Sequence, residues 1–127
     1  MSTIKSYTDL EQSKKLAEIL PLESADVWYQ YTGISIKDGS KKPIYFPMVI
    51  RDNISDDDIP AWSLSALLEL IPESIDDNTD DFSQLKLTKK SVAYYYGDGA
   101  LRRGFLKDNF INAAFEMVVW LKENGKI

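Results

Sequence analysis

The sequence predicts an α+β protein: three helices packed on antiparallel β-hairpins, in the order α-β-β-α-β-β-α. Apolar residues recur at three- and four-residue spacing in three segments. Two other regions are rich in aromatic and β-branched residues and are broken by turn signals. Prolines at 21 and 72 stop the first two helices. A chain of 127 residues, 44% hydrophobic, suits a single domain over 1–127 with one sizeable core.

The first helix is expected from residue 8 to Leu20. Thr8 serves as its cap, Glu11 reaches back to close a capping box, and Leu10, Leu16, Ala17, Ile19 and Leu20 face the core. Residues 27–37 then read as a strand in which Trp28, Ile34 and Ile36 share one parity, with Gly33 marking a bulge. Asp38-Gly39 is a turn signal, and residues 43–50 return as the partner strand. Pro47 cannot donate a ladder hydrogen bond, which puts that strand at an edge or makes it bulge there.

The second helix is expected over residues 60–71, capped at Asp58 or Ser63, with Trp62, Leu64, Leu67, Leu68 and Ile71 buried. An acidic loop fills residues 72–82. A second hairpin follows, with strands at 85–87 and 91–96 and a turn at 88–90. Residues 97–104 read as a loop. The last helix, 108–123, is the most apolar segment of the chain. Its stripe of Phe110, Ile111, Ala114, Phe115, Val118 and Leu121 is widened by Ala113, Met117 and Trp120. A stripe that wide indicates cover on two sides. Asp108 or Asn109 can cap it, and Gly125 can end it.

Leu16–Pro21 and Leu67–Pro72 echo one another, each a helix end followed by Glu-Ser and then Asp. A duplicated α-β-β unit is one reading of that echo. Two unrelated helices that stop the same way is the other.

The chain contains no cysteine and no histidine. That excludes disulfides, Ser-His-Asp and Cys-His catalysis and the usual zinc sites. Catalysis would need carboxylates, lysine, tyrosine or a hard metal, and no residues can be assigned catalytic or metal roles. No cofactor is implied. No apolar run is long enough to cross a membrane, and residues 1–15 lack an apolar signal core, so a cytoplasmic protein without membrane association is expected.

Charge is the least random feature. The net charge of −5 conceals a division, because residues 52–81 hold ten acids and no Lys or Arg. All 15 bases and the other ten acids lie elsewhere. Such a division can steer a partner, although acids flanking a helix also serve solubility. Asp56, Asp57, Asp58, Asp76, Asp77, Asp80 and Asp81 are the candidate partner-binding acids. Residues 76–81 offer alternating oxygens as a calcium loop does, but Asp81 stands where an EF-hand needs glycine and Leu87 where it needs glutamate. The acids can also imitate phosphates and occupy a nucleic-acid-binding protein. Direct nucleic-acid binding is disfavoured by the pI of 4.7 and the scattered basic pairs.

Gly97 to Gly104 sits where a phosphate loop would sit, but it matches neither glycine-rich pattern. Arg102 and Arg103 remain candidates for holding an anion. In Tyr94-Tyr95-Tyr96, alternation sets Tyr94 and Tyr96 opposite Tyr95. One set joins the core and the other can serve recognition, for which Tyr94 and Tyr96 are the candidates.

Three segments, YTDLEQSKKLAEILPLESAD (7–26), IPAWSLSALLELIP (59–72) and NAAFEMVVWLKENGKI (112–127), together resemble a family of small uncharacterised proteins of anaerobic gut bacteria and their prophages or mobile elements. The resemblance spans the three predicted helices. It implies a cytoplasmic, mobile-element-encoded protein and brings neither an activity nor functional residues. The expected function is a non-enzymatic accessory module that binds a protein through the acidic region, the exposed aromatics or both. The alternatives are a carboxylate and hard-metal hydrolase or transferase, an acidic nucleic-acid mimic, and a self-associating structural protein. Neither the partner nor the oligomeric state is legible.

Overall fold

The computed structural model describes residues 5–37, 39–48 and 57–127. It has an α+β fold with three helices and two antiparallel sheets in the expected order, with short strands added between the expected elements. The chain divides into two compact units, one formed by Tyr7–Ser63 and the other by residues 5–6 and 64–127.

The Tyr7–Ser63 unit opens with α1 (Leu10–Ile19), followed by a short 3₁₀ turn, Leu22–Ser24. Three strands form its sheet: β1 (Val27–Lys37), β2 (Ser40–Met48) and β3 (Ile59–Ala61), in the order β2-β1-β3. β2 is thus the expected edge strand, and Pro47 opposite Tyr29 withholds no donor from a further strand. The cap of α1 lies one residue beyond the expected one. Asp9 accepts from the Gln12 amide at 2.8 Å, and the Gln12 side chain returns to the Asp9 amide at 3.1 Å. Thr8 is displaced from the cap because it is fully buried. It exchanges bonds with Trp62, its own N–H donating to the Trp62 carbonyl at 3.0 Å and its Oγ1 accepting the Trp62 N–H at 3.1 Å. Its carbonyl also accepts the Tyr29 hydroxyl at 2.8 Å. Val27, Tyr29 and Ala61 form a small core with Tyr7, Leu10, Tyr45 and Ile59 against it.

Pro60 belongs to β3 rather than to the second helix, because Ile59–Ala61 pairs with Val27–Tyr29. Among the described residues, β1 beyond Tyr29 pairs only with β2. The bulge expected at Gly33 is present: Tyr31 pairs with Tyr45 and Gly33 with Ile44, so Thr32 has no counterpart. The extra residue inverts the parity read from the sequence. Side chains alternate along the uninterrupted β2, so Pro43 and Lys41 share the face of Tyr45. Their partners Ile34 and Ile36 therefore join the face of Tyr29 and Tyr31, not that of Trp28.

The other unit holds α2 (Leu64–Leu70), β4 (Ser74–Ile75), β5 (Ser83–Leu87), β6 (Ser91–Tyr96), β7 (Leu101–Leu106) and α3 (Phe110–Glu123). Its sheet runs β4-β5-β6-β7. The loop expected at 97–104 is a tight turn plus β7. Tyr96 N–H donates to the Ala100 carbonyl at 2.8 Å, which closes the turn and leaves 101–106 free to pair with β6. α3 packs on β6, β7 and α2, which is the two-sided cover its wide stripe required. Asn109 caps it by accepting the Asn112 amide at 2.9 Å. Gly125 (φ +68°) ends it, with Lys126 N–H on the Leu121 carbonyl and Gly125 N–H on that of Lys122, a Schellman closure.

The helix-end echo does not extend to packing. α1 lies against β3, whereas α2 lies against α3. Among the described residues, no helix is long and apolar enough to cross a membrane.

Candidate functional site

The acidic turn between β4 and β5 is built around Asp76. This residue adopts φ +56°, the left-handed region, which a short polar side chain tolerates better than most. Asp76 Oδ1 accepts from the Lys126 ammonium at 3.0 Å, and Oδ2 lies 2.8 Å from Arg102 Nη1. Those two cations, Lys126 foremost, hold the Asp76 carboxyl below the usual carboxylate range. Thr79 fastens the next turn, its N–H and hydroxyl both donating to the Asp76 carbonyl while its Oγ1 accepts the Asp81 amide. An open cleft of about 350 Å³ lies alongside, lined by Pro72, Ser74, Asp76, Asp77, Gly125 and Lys126 among others.

Arg102 ties this turn to the sheet. Its Nη1 also donates to the Asp81 carbonyl at 2.7 Å and to Ser83 Oγ at 3.2 Å. Its guanidinium lies over the rings of Tyr96 (5.6 Å) and Trp120 (6.0 Å). The guanidinium is therefore held by internal partners. Arg103 is exposed and lies over Phe105. The expected anion site is thus divided, because the bulge between Tyr94 and Tyr95 on the β6–β7 ladder inserts Arg102 as an unpaired residue. The loop amides are engaged as well, Gly99 N–H by the Tyr96 carbonyl and Ala100 N–H by Asp98 Oδ1.

The expected acids fall into three groups. Asp77, Asp80 and Asp81 are exposed on the turn, and Asp57 is exposed in the other unit. Asp58 and Asp76 are structural: Asp58 is buried and accepts the Tyr31 amide at 3.0 Å. Asp56 lies outside the described residues. With its carboxylate committed to Lys126 and Arg102, Asp76 cannot open a calcium loop at the position the spacing gave it.

The tyrosine split is present, but the open side is the one opposite to that expected. Tyr94 is fully buried, and its hydroxyl donates to the Pro72 carbonyl at the end of α2. Burial pushes its hydroxyl pKa upward. Tyr96 is half-buried under Arg102. α3 covers the face that Tyr94 shares with Val92, so Tyr95 stands on the uncovered one. Pairing places Gln84, Lys86, Ala93, Leu101 and Leu106 there too, with the Lys86 ammonium 5.0 Å from the Tyr95 ring. Leu101 and Leu106 are 58% and 75% exposed. Sequence reading missed them because their strand looked like a loop. Its one local signal was the aliphatic and aromatic content of 101–106.

Compared with protein-family models, curated proteins and solved structures, the chain matches none.

Proposed function

We propose that this chain is a non-enzymatic accessory protein that binds another protein through the acidic turn at 77–81 and the open strand face of the same unit. The observation that carries this reading is the fixed shape of an exposed acidic surface. Asp77, Asp80 and Asp81 point to solvent, while Asp76, Thr79 and Arg102 hold the backbone beneath them. A surface ordered before binding has less entropy to lose when a partner docks. Leu101 and the half-buried Tyr95 add apolar area on the uncovered sheet face of the same unit.

The test is affinity capture from a native lysate with wild type beside Asp77→Asn/Asp80→Asn/Asp81→Asn. Asp58 and Asp76 stay unchanged because they hold structure. A protein retained by wild type and lost by the variant supports the reading, and a nucleic-acid-binding protein in that position would assign phosphate mimicry. A partner retained equally by both moves the site away from the turn and refutes it.

A further inference from the structure

β7 closes the β4-β5-β6-β7 sheet on one side, and among the described residues no further strand lies beyond it. The register shows which of its backbone groups are left over. Lys107 N–H donates to the Lys90 carbonyl at 3.0 Å, which makes that pair a bonded one. Bonded and unbonded pairs alternate along an antiparallel ladder. Phe105 with Val92 and Arg103 with Tyr94 are therefore bonded pairs. Gly104 opposite Ala93 and Leu106 opposite Ser91 turn their N–H and C=O groups away from β6. Among the described residues no hydrogen bond reaches those groups from the outer side. Arg103 and Leu106 are exposed, so the edge is open. A row of unpaired donors and acceptors is a template for one more strand.

The side chains along this edge select the strand. Lys90, Arg103 and Lys107 are exposed, with Asp108 the acid beside them. Arg103 lies over the Phe105 ring, and among the described residues no ion pair engages these three cations. Like charges opposite one another destabilise a strand pair. This edge therefore repels a copy of itself and attracts carboxylates. An open cleft of about 470 Å³ at the Leu106 end is lined by Lys90, Leu106, Lys107, Asp108 and Asn112, which puts an apolar side chain and two lysines around one opening. Alternation sets Arg103, Phe105 and Lys107 at one parity and Gly104 and Leu106 at the other. A strand that fits carries carboxylates opposite Arg103 and Lys107 and apolar residues opposite Gly104 and Leu106.

We infer that the β7 edge takes an extended acidic peptide segment of another protein as an added strand, bonded to the backbone of Gly104 and Leu106, with its carboxylates facing Arg103 and Lys107. This goes beyond the protein-binding reading above, because it uses a basic strand edge rather than the acidic turn. The acidic turn and its capture experiment play no part in it, so either can fail alone.

The probe is a Glu-Val-Thr-Val-Glu peptide, labelled with fluorescein at one end, blocked at the other and titrated with the full chain by fluorescence anisotropy. Its order is the same in both directions, so either strand polarity is served. Binding should weaken about tenfold or more between roughly 0.05 M and roughly 0.5 M salt. N-methyl groups on both valines remove the donors that face Gly104 and Leu106, and should cost about tenfold or more in affinity with no change of charge. Arg103→Glu/Lys107→Glu should lose the peptide with unchanged circular dichroism and should bind Lys-Val-Thr-Val-Lys instead. By NMR, saturating peptide should slow hydrogen exchange at the Gly104 and Leu106 amides about tenfold or more and leave Arg103 and Phe105, already bonded to β6, nearly unchanged. Absence of binding at roughly 1 mM peptide overturns the inference. So does equal binding of the N-methylated peptide, which would leave charge as the only attraction. Protection of Gly104 and Leu106 that rises with protein concentration in the absence of peptide would assign the edge to a second copy and overturns it as well.

Discussion

Arg102 Nη1 lies 2.8 Å from Asp76 Oδ2, a solvent-shielded oxygen with no hydrogen-bond partner besides that ion pair. The Asp76 carboxyl is held below its ordinary 3.8. Its contribution to stability is therefore present above pH 3.8 and lost as pH falls through the lower folded-state value. Asp76→Asn keeps the size and tolerates the left-handed backbone but removes the charge. Thermal melts from about pH 2 to about pH 7 should show a lower melting temperature for the variant at neutral pH and a shallower acid limb. Parallel acid limbs in the two proteins would contradict this.

At the alkaline end, Tyr29 should dominate the Tyr7–Ser63 unit. Burial, with help from Tyr7 and Asp9, pushes its hydroxyl up to about 12. The unfolded chain ionises near 10, so stability is complete below pH 10 and falls as pH rises toward 12. Tyr29→Phe should lose the bond to the Thr8 carbonyl, about 1 kcal/mol at neutral pH, and should flatten the alkaline decline. Chemical denaturation at pH 7 and near pH 11 measures both effects.

Gly104 is held to glycine by contact rather than by backbone angle. A Cβ there would stand 2.9 Å from Ala93 Cβ on the neighbouring strand. Gly104→Ala should destabilise by roughly 1–3 kcal/mol. Adding Ala93→Gly should restore part of that loss, and additive effects in this double-mutant cycle would show that the two positions do not meet.

Trp62 is fully buried, and its indole N–H donates to Ser24 Oγ at 2.9 Å. Trp62→Ala should cost about 3–5 kcal/mol. Ser24→Ala should cost about 1–3 kcal/mol, the penalty for leaving the indole donor unsatisfied. Urea midpoints of the two variants against wild type provide the comparison.

The helices and the hairpins were legible because their signals are local. Apolar periodicity located the 108–123 helix, and Asn109 and Gly125 marked its ends. The misreadings came from non-local terms. Thr8 looked like a cap until burial against Trp62 drew it away and Asp9 replaced it. Pro60 looked like the first turn of a helix until pairing with Trp28 placed it in a strand. Residues 101–104 looked like a loop because, among the described residues, only β6 gives their strand a partner. The candidate site was legible as charge but not as geometry. Counting carboxylates cannot separate Asp58 and Asp76, which hold the fold, from Asp77, Asp80 and Asp81, which face solvent.

Thr32 is one residue without a counterpart, yet everything distal to it depends on the count. In a strand, inside and outside are a matter of odd and even. Pairing Thr32 in register would hand Ile34 and Ile36 to the opposite surface with no side chain at the tip altered, whereas deleting Thr32 would close the bulge and leave both where they are. What the ribbon presents is thus written partly in a residue that pairs with nothing on β2. A change that flattens the bulge while keeping the residue inverts that surface, and point substitutions at the tip would never reveal it.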